Sequence, residues 1–261
     1  MRVREITALL ETVAPLHLQE SYDNAGLIVG NPEQEVTGIL FCLDSTEAVV
    51  AEAIQKGCNL VVAHHPIIFR GLKRLNGGHY VERAVIQALR HDIALYAIHT
   101  NLDNVLQQGV NAKLAEHIGL SGLQILAPRP DNPNTGAGAI GELPYPMGES
   151  DFLQHLKDTL GVPVLRHTAR LHRPIHRVAL CGGSGSFLLP HAVARGAHAF
   201  VSADFKYHEF FDADGHLLVV DVGHYESEQF TLELLRDIVQ KTFPTFALHL
   251  TEVRTNPVFY F

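Results

Sequence analysis

The stretch GILFCLDSTEAVVAEAIQKGCNLVVAHH, residues 38–65, contains two different apolar patterns. GILFCLD and NLVVAHH are short, nearly continuous apolar runs, which is typical of buried strands. The segment between them spaces its apolar residues as a helix does, and it ends at Gly57, a residue that favours the C-terminal cap of a helix. The stretch therefore predicts a strand, a helix and a second, parallel strand.

The alternation continues on both sides of this stretch. Residues 3–14 form a predicted amphipathic helix that ends before Pro15, while YVERAVIQALRHD and IALYAIH predict a further helix and strand. Residues 127–147 are rich in proline and glycine, and we interpret them as a connection between a first α/β half, residues 1–126, and a second, residues 148–261. This order predicts an α/β fold with a largely parallel sheet.

An internal repeat supports the division into two related halves. When Cys181 is placed on Cys42, RVALCGGSGSFLLPHAVARGAHAFVSAD falls on residues 38–65 strand for strand and helix for helix. Gly196 then lies on Gly57, and Asp204 lies on His65. With a shorter connection in the second copy, LLVVDVGHYESE falls on IALYAIHTNLD, which places His224 on His99. We therefore predict two α/β halves related by a pseudo-repeat.

Imidazole and carboxylate side chains stand at or just after the ends of these predicted strands. His64 and His65 close one strand, Asp103 follows IALYAIH, and His224 follows LLVVDVG. Glu228 lies on the same face as His224 if a helix begins there, because residues four apart share one face. The C-terminal ends of parallel strands meet at one edge of a sheet, where α/β proteins place their sites. We expect these side chains to converge.

This donor set is larger than one metal ion needs. A single zinc site uses three or four ligands, whereas a larger set suits two ions about 3.5–4 Å apart. Nitrogen and oxygen donors without thiolate favour zinc, manganese, iron, cobalt or nickel. Adjacent residues on a strand normally point to opposite faces, so the chain has to leave the extended conformation near His65, just before Pro66. We predict a dinuclear metal site at the cleft between the two halves.

Each motif taken alone also has an ordinary structural interpretation. The chain holds 17 histidines, so any single histidine is typically a surface or core residue. An isolated histidine pair is commonly structural, and a histidine and a glutamate four residues apart are common on solvated helices. The metal-site interpretation depends on three motifs that each stand at a strand end.

Three further motifs leave alternatives open. CGGSGS, residues 181–186, is either a phosphate cradle at a helix start or, as we prefer, a tight turn from strand to helix. In DFKYH, Lys206 and His208 either contact an anionic substrate near the second half's site or are solvated. In SYDNAGLIVG, Asp23 and Asn24 either cap a turn into a strand or face the site.

Composition narrows the class of protein. A net charge of −8 argues against a surface that grips nucleic-acid backbones, although a basic pocket or lumen stays compatible with it. Three cysteines without a C-x-x-C pair suit a reducing compartment. The N-terminus is charged and amphipathic, and no apolar run approaches the ~20 residues that cross a bilayer. We therefore expect a cytoplasmic protein without membrane association.

The motifs together resemble a known family over nearly the whole chain. SYDNAGLIVG, AHHPIIF, AIHTNLD, GAIGEL, SADFKYH and GHYESE occur in the order seen in the GTP cyclohydrolase 1 type 2 homologues, also called Nif-three-like dinuclear metal proteins. The resemblance implies two α/β domains with a pair of metal ions between them and a toroidal hexamer. The metal ligands that it implies are His64, His65, Asp103, His224 and Glu228.

The resemblance leads to two functional hypotheses. The first is a metal-dependent hydrolase of the GTP cyclohydrolase or phosphoesterase kind, acting on a nucleotide or related small molecule. Two metal ions lower the pKa of a bound water, and His99 or His208 carries protons because histidine titrates near neutral pH. His99 lies beside the metals in this comparison and is alternatively a further ligand. The second hypothesis is a non-catalytic metal-binding regulatory or scaffold protein.

Overall fold

The computed structural model describes residues 1–261 and divides them into two compact units. The first unit comprises Met1–Leu102 and Thr231–Pro257, and the second comprises Asp103–Phe230 and Val258–Phe261. The strands are β1 Gly26–Val29, β2 Ile39–Asp44, β3 Leu60–His65, β4 Ala94–Ala97, β5 Ser121–Pro128, β6 Gly136–Met147, β7 Arg166–His167, β8 Ile175–Ser184, β9 Ala199–Ala203, β10 Leu218–Asp221 and β11 Leu248–Leu250. The helices are α1 Val3–Val13, α2 Glu47–Gln55, α3 Tyr80–Arg90, α4 Thr100–Asp103, α5 Val110–Ile118, α6 Glu149–Leu160, α7 Leu189–Ala194, α8 His224–Glu228 and α9 Thr231–Thr242.

The first unit is built on a five-stranded sheet in the order β1-β4-β3-β2-β11. β2, β3, β4 and β11 run parallel, and β1 runs antiparallel at one edge. The register pairs Asp44 with His65 and Ala63 with Ala97. Because the strands are parallel and in this register, the carboxyl ends of β2, β3 and β4 lie side by side.

Local signals set the helix that joins β2 to β3. Thr46 is the N-cap of α2, and its hydroxyl accepts a hydrogen bond from the Val49 N–H, which satisfies one of the free amides of the first turn. The helix ends before Gly57, which has a φ of +68°, a conformation that glycine adopts without the steric cost of a side chain. Val50 and Ala53 of α2 are fully buried in the core beneath the sheet.

The second unit contains a six-stranded sheet in the order β5-β6-β8-β9-β10-β7. The central strands β8, β9 and β10 run parallel to one another. β5, β6 and β7 pair antiparallel with their neighbours. The unit β8–α7–β9 repeats β2–α2–β3, and Gly196 after α7 has a φ of +66°, close to that of Gly57. The predicted α/β fold with two related halves is confirmed, although both sheets are mixed and only their central strands are parallel.

The segment expected to connect the halves differs from its predicted structure. Residues 136–147 form β6, a long strand inside the second sheet, between β5 and β8. The register with β8 shifts between Glu142 and Met147, so Pro144 and Pro146 fall where the regular ladder is interrupted, the position that a strand tolerates for proline. The units are also not contiguous in sequence, because Thr231–Pro257 belongs to the first of them.

None of the helices has both the length and the apolar character that crossing a membrane requires.

Candidate metal centre

Three histidines meet at the carboxyl edge of the first sheet. His64 and His65 end β3, and His99 follows β4, the neighbouring parallel strand. One ring nitrogen of each histidine lies within 4.8 Å of the others. The ring centroids of His64 and His65 are 4.9 Å apart and those of His64 and His99 are 5.3 Å apart. The two adjacent histidines therefore do reach one cluster, which we call the histidine cluster.

Each imidazole of the histidine cluster is held by its Nδ1 atom. His64, which is fully buried, donates from Nδ1 to the carbonyl oxygen of Ile98 at 2.8 Å. His65 Nδ1 lies 2.8 Å from an oxygen of Asp44, the residue beside it in β2. A carbonyl or carboxylate oxygen only accepts, so Nδ1 is the donor in both contacts. Histidine ligands of metal ions almost always donate the N–H of their other ring nitrogen to an oxygen in this way.

His99 is held in the same way by a buried carboxylate from the loop before β1. Its Nδ1 lies 2.8 Å from an oxygen of Asp23, whose side chain is fully buried. The other Asp23 oxygen accepts from the Thr100 amide at 3.0 Å and from the Thr100 hydroxyl. Burial alone would raise the pKa of Asp23, but the hydrogen bonds from His99 and Thr100 outweigh it and lower the pKa to about 2. Asp23 is therefore a permanent anion behind His99.

The second unit carries a different group of donors on the short helix α8. His224 begins this helix and Glu228 ends it, and His224 Nε2 lies 3.1 Å from a Glu228 oxygen. His224 Nδ1 lies 2.7 Å from a carboxylate oxygen of Asp204, which follows β9. Burial alone would lower the pKa of His224, but the charge of Glu228 and the hydrogen bonds to Asp204 and Glu228 raise it to about 11. A positive charge, a proton or a metal ion, is thus favoured beside Glu228.

A glycine of β8 makes room for this donor pair. A Cβ on Gly183 would lie 2.3 Å from a Glu228 oxygen and 3.2 Å from a His224 ring carbon. The amides of this segment are already used within the unit, since Gly182 N–H donates to Asn111 and Gly183 N–H donates to Ser227. Residues 181–184 of CGGSGS therefore form the end of β8 and support α8, where the sequence had favoured a tight turn from strand to helix.

Asp103 lies within electrostatic reach of the same region of the second unit. Burial raises the pKa of the Cys181 thiol, and the charges of Asp103 and Glu228 raise it further. The backbone carbonyl of Asp103 accepts a hydrogen bond from the Asn111 side chain at 3.1 Å, which ties the end of α4 to α5. The carboxylates of Asp103 and Glu228 therefore both act on one buried side chain.

The donor set fits a divalent transition-metal ion. Four imidazoles have Nδ1 bound to an oxygen, and in the second unit a Glu228 oxygen lies beside Nε2 of one of them. The four imidazoles are His64, His65, His99 and His224. Imidazole and carboxylate together suit zinc, iron, manganese, cobalt or nickel.

Comparison with known proteins establishes the family. Residues 1–257 match the model of the family described as Duf34/NIF3 (NGG1p interacting factor 3). The chain belongs to the Duf34/NIF3 family. A family member in Clostridium perfringens, named GTP cyclohydrolase 1 type 2 homolog, is 34% identical over 229 residues, which is 87% of each protein. A member of the same name in Lactococcus lactis is 32% identical over 263 residues, 99% of each protein.

Two solved structures show the same fold as this Duf34/NIF3 chain. The Staphylococcus aureus protein SA1388 superimposes with a TM-score of 0.93 at 31% identity, over 100% of this chain and 99% of that one. The Bacillus cereus protein related to NIF3 gives a TM-score of 0.94 at 26% identity, with the same coverage of the two chains. The predicted membership of the GTP cyclohydrolase 1 type 2 homologues is confirmed.

In this Duf34/NIF3 chain, some predicted site residues lie outside the donor groups. His208 is exposed on a 3-10 segment, Tyr207–Ala213, with its ring 5.1 Å from that of Tyr207. Lys206 is exposed at the start of the same segment. The proton-carrying role of His208 stays a prediction.

The sequence interpretation considered Asp23 as a residue that faces the site but missed the other two carboxylates that orient the histidines. Asp44 was taken only as the end of a strand, and Asp204 only as the counterpart of His65 in the repeat. Their roles become visible from strand register and ring contacts rather than from spacing, since Asp44 pairs with His65 across β2 and β3. A usable signal for Asp204 was its position directly after a strand end, the same criterion that selected the histidines.

Proposed function

We propose that the chain is a dinuclear metal-binding protein and a metal-dependent hydrolase that acts on a nucleotide or a related small molecule. The strongest support is the histidine cluster, in which one ring nitrogen of each histidine lies within 4.8 Å of the others and an oxygen holds each Nδ1. Glu228 and Asp103 would complete the coordination with anionic oxygen. The proposed ligands are His64, His65, Asp103, His224 and Glu228.

Two divalent ions held by these residues would supply an activated water and an electrophilic centre for hydrolysis. The chain itself supplies proton transfer and orientation. Within the histidine cluster, His99 lies beside His64 and His65, and Asp23 holds its Nδ1. Its Nε2 would therefore be the atom that accepts a proton or, alternatively, binds an ion. An exposed imidazole such as His208 would pass protons to solvent.

The names of related proteins support the substrate class and also an alternative. The Clostridium perfringens relative is named for GTP cyclohydrolase 1 type 2, which motivates a nucleotide as the first substrate to test. The family description names an interacting factor, which favours a non-catalytic regulatory or scaffold role as the alternative. We propose a toroidal homohexamer as the assembly and the cytoplasm as the compartment. The cytoplasm is proposed because the three cysteines are buried and free, which suits a reducing compartment.

Metal analysis of the purified protein tests the metal-binding step. The expected content is about two ions per chain in the wild type, as two-metal sites hold, and a marked loss in His65→Ala and Glu228→Ala. The controls are His216→Ala and Glu116→Ala, two exposed residues that lie on a turn and on α5. Wild-type protein that binds no divalent ion after loading would contradict the proposal.

A substrate screen separates the hydrolase from the alternative. Metal-loaded wild type and Glu228→Ala are compared on GTP, other nucleotides and simple phosphoesters, with formate and phosphate release as separate readouts. Turnover that disappears with the metal ions supports the hydrolase. Full metal occupancy without turnover of any of these compounds would favour the regulatory role.

A further inference from the structure

Two consecutive residues of the loop before β1, Asp23 and Asn24, are fixed in place by different means. The Asp23 carboxylate is bonded to His99 and Thr100, as described above. The Asn24 side chain donates to the carbonyl oxygen of Ile68 at 2.6 Å. The loop is thus attached on one side to the start of α4 and on the other to the segment that follows β3. Tyr22, which precedes these two residues, is held on an ordered backbone.

Tyr22 and Phe69 place exposed aromatic rings beside the histidine cluster. Tyr22 is 62% exposed and Phe69 is 46% exposed. Their ring centroids are 6.2 Å apart, and the Phe69 ring lies 6.1 Å from that of His99 in an edge-to-face arrangement. Rings of Tyr22, Phe69 and His99 therefore form a continuous row, which we call the aromatic strip, from solvent to the histidine cluster.

Scattered exposed apolar residues are common on soluble proteins and need no function. The aromatic strip differs in three respects, because its rings are contiguous, the loop that carries Tyr22 is fixed by a buried carboxylate, and its inner end touches the candidate metal ligands. Pre-ordered aromatic faces next to convergent polar groups are a common feature of small-molecule sites. Such faces bind flat π systems of many kinds, since every heterocyclic base presents a π face.

We propose that the aromatic strip is the binding site for a planar heterocyclic ring of the substrate, stacked on Tyr22 and Phe69 with its reactive substituent towards the histidine cluster. This inference rests on the proposed function for the identity of the reacting groups, but ring binding itself does not require the metal ions. Tyr22 and Phe69 are specificity residues in this arrangement, and Asp23 and Asn24 are positioning residues that hold Tyr22 in place.

Ligand-observed NMR with adenosine, guanosine and ribose tests the strip directly. In saturation-transfer spectra of the wild type, we expect strong signals from the base protons of both nucleosides and none from free ribose. The Tyr22→Ala/Phe69→Ala double variant should weaken nucleoside binding by roughly tenfold or more, in line with the loss of base stacking. Tyr22→Phe should stay within about twofold of wild type, because the phenyl face remains. Leu75→Ala is the matched control, since Leu75 is an exposed apolar residue of the same unit.

The same samples are measured for metal content and for oligomeric state. Nucleoside binding that equals ribose binding in the wild type, or that is unchanged in the double variant, overturns the inference even if the metal ions are present. A change of oligomeric state in the double variant, without loss of nucleoside binding, assigns the strip to a contact between copies and also overturns it. Absence of metal with nucleoside binding intact would instead contradict the proposed function and leave the strip supported.

Discussion

The two halves of the molecule share a framework but differ in the donors that they carry. Each has three parallel strands in the same order, β2-β3-β4 in the first and β8-β9-β10 in the second. The first half ends these strands in three imidazoles, whereas the second carries one imidazole and Glu228 on α8. Repetition has preserved the strands and the helix-ending glycines, while the residues at the strand ends have diverged.

The divergence is clearest at one pair of equivalent positions. His65 in the first half corresponds to Asp204 in the second, and the two have opposite roles. His65 presents a ring nitrogen and is oriented by Asp44, whereas Asp204 is itself the acceptor that orients His224. The first half thus offers imidazole nitrogens, and the second adds the carboxylate oxygens of Glu228.

The largest expected effect comes from removing one ligand from either half. His65→Ala and Glu228→Gln should each lower the affinity for Zn²⁺ or Mn²⁺ by more than about a hundredfold, since loss of even an outer partner costs about 10–100-fold. Calorimetric titration of apoprotein with each ion, with circular dichroism as the check on folding, measures this. If only one half's variant lost affinity, the proposal of a centre with ligands from both halves would be wrong.

Loss of an orienting carboxylate should have a smaller effect. Asp44→Asn and Asp204→Asn retain the shape of the side chain but replace an anionic acceptor by an amide, so we expect a loss of about 10–100-fold in metal affinity with the fold intact. Equal losses in the two variants would show that the halves depend on their orienting groups to the same degree. No loss in either would show that the Nδ1 hydrogen bonds are not part of the metal site.

Alanine substitution at two glycines separates the effect on the metal donors from the effect on the fold. Gly183 makes room for Glu228, whereas Gly57 only ends a helix. Gly183→Ala should lower the free energy of unfolding by about 2 kcal/mol and displace Glu228, because its φ is +62° and the new Cβ meets the Glu228 carboxylate. Gly57→Ala should cost about 1 kcal/mol, since its φ is +68° but no atom lies within 4 Å of the new Cβ. Chemical denaturation and metal titration of both variants measure the difference. Metal affinity that fell equally in both would contradict the special role of Gly183.

The elements that sequence predicts well are those with local signals. The strands before His65 and before His224, the helices between them, and Gly57 with its counterpart Gly196 all follow from short-range periodicity and caps. Residues 136–147 were interpreted as part of a connection because proline and glycine dominate their composition, whereas β6 is stabilised by pairing with β5 and β8 on either side. Gly136, for example, is needed because a Cβ there would lie 2.2 Å from the carbonyl oxygen of Ala127.

Non-local pairing also explains why the domain organisation differs from the sequence prediction. β11, Leu248–Leu250, pairs with β2 in parallel, more than two hundred positions earlier in the chain. No local pattern near β11 indicates that partner. The candidate site shows the same limit, since Asp23 reaches His99 across 76 positions. The histidines could be predicted because they stand at strand ends. The carboxylates that orient them could not, because their contacts depend on which strands and loops are neighbours in the fold.

The smallest expected effect on stability comes from a carboxylate that hydrogen-bonds the segment directly after β11. Glu52 of α2 is nearly buried and accepts hydrogen bonds from the Thr251 hydroxyl and from the Glu252 N–H at 2.9 Å. Burial alone would raise the pKa of Glu52, but these hydrogen bonds outweigh it, and the pKa is lowered from the ordinary value of 4.5. Glu52→Gln should therefore cost about 1 kcal/mol of unfolding free energy at neutral pH.

The pH dependence of that cost identifies its origin. A group with a lowered pKa in the folded state stabilises the fold fully above its unfolded pKa and loses this contribution as the pH falls through the folded value. The difference between wild type and Glu52→Gln should thus be largest at pH 6–7, well above the ordinary pKa of 4.5, and shrink below about pH 4. Urea titrations at several pH values measure it, with the exposed Glu116→Gln as the control. A difference that stayed constant down to pH 3 would show that packing, and not the charge of Glu52, holds this strand in the first half.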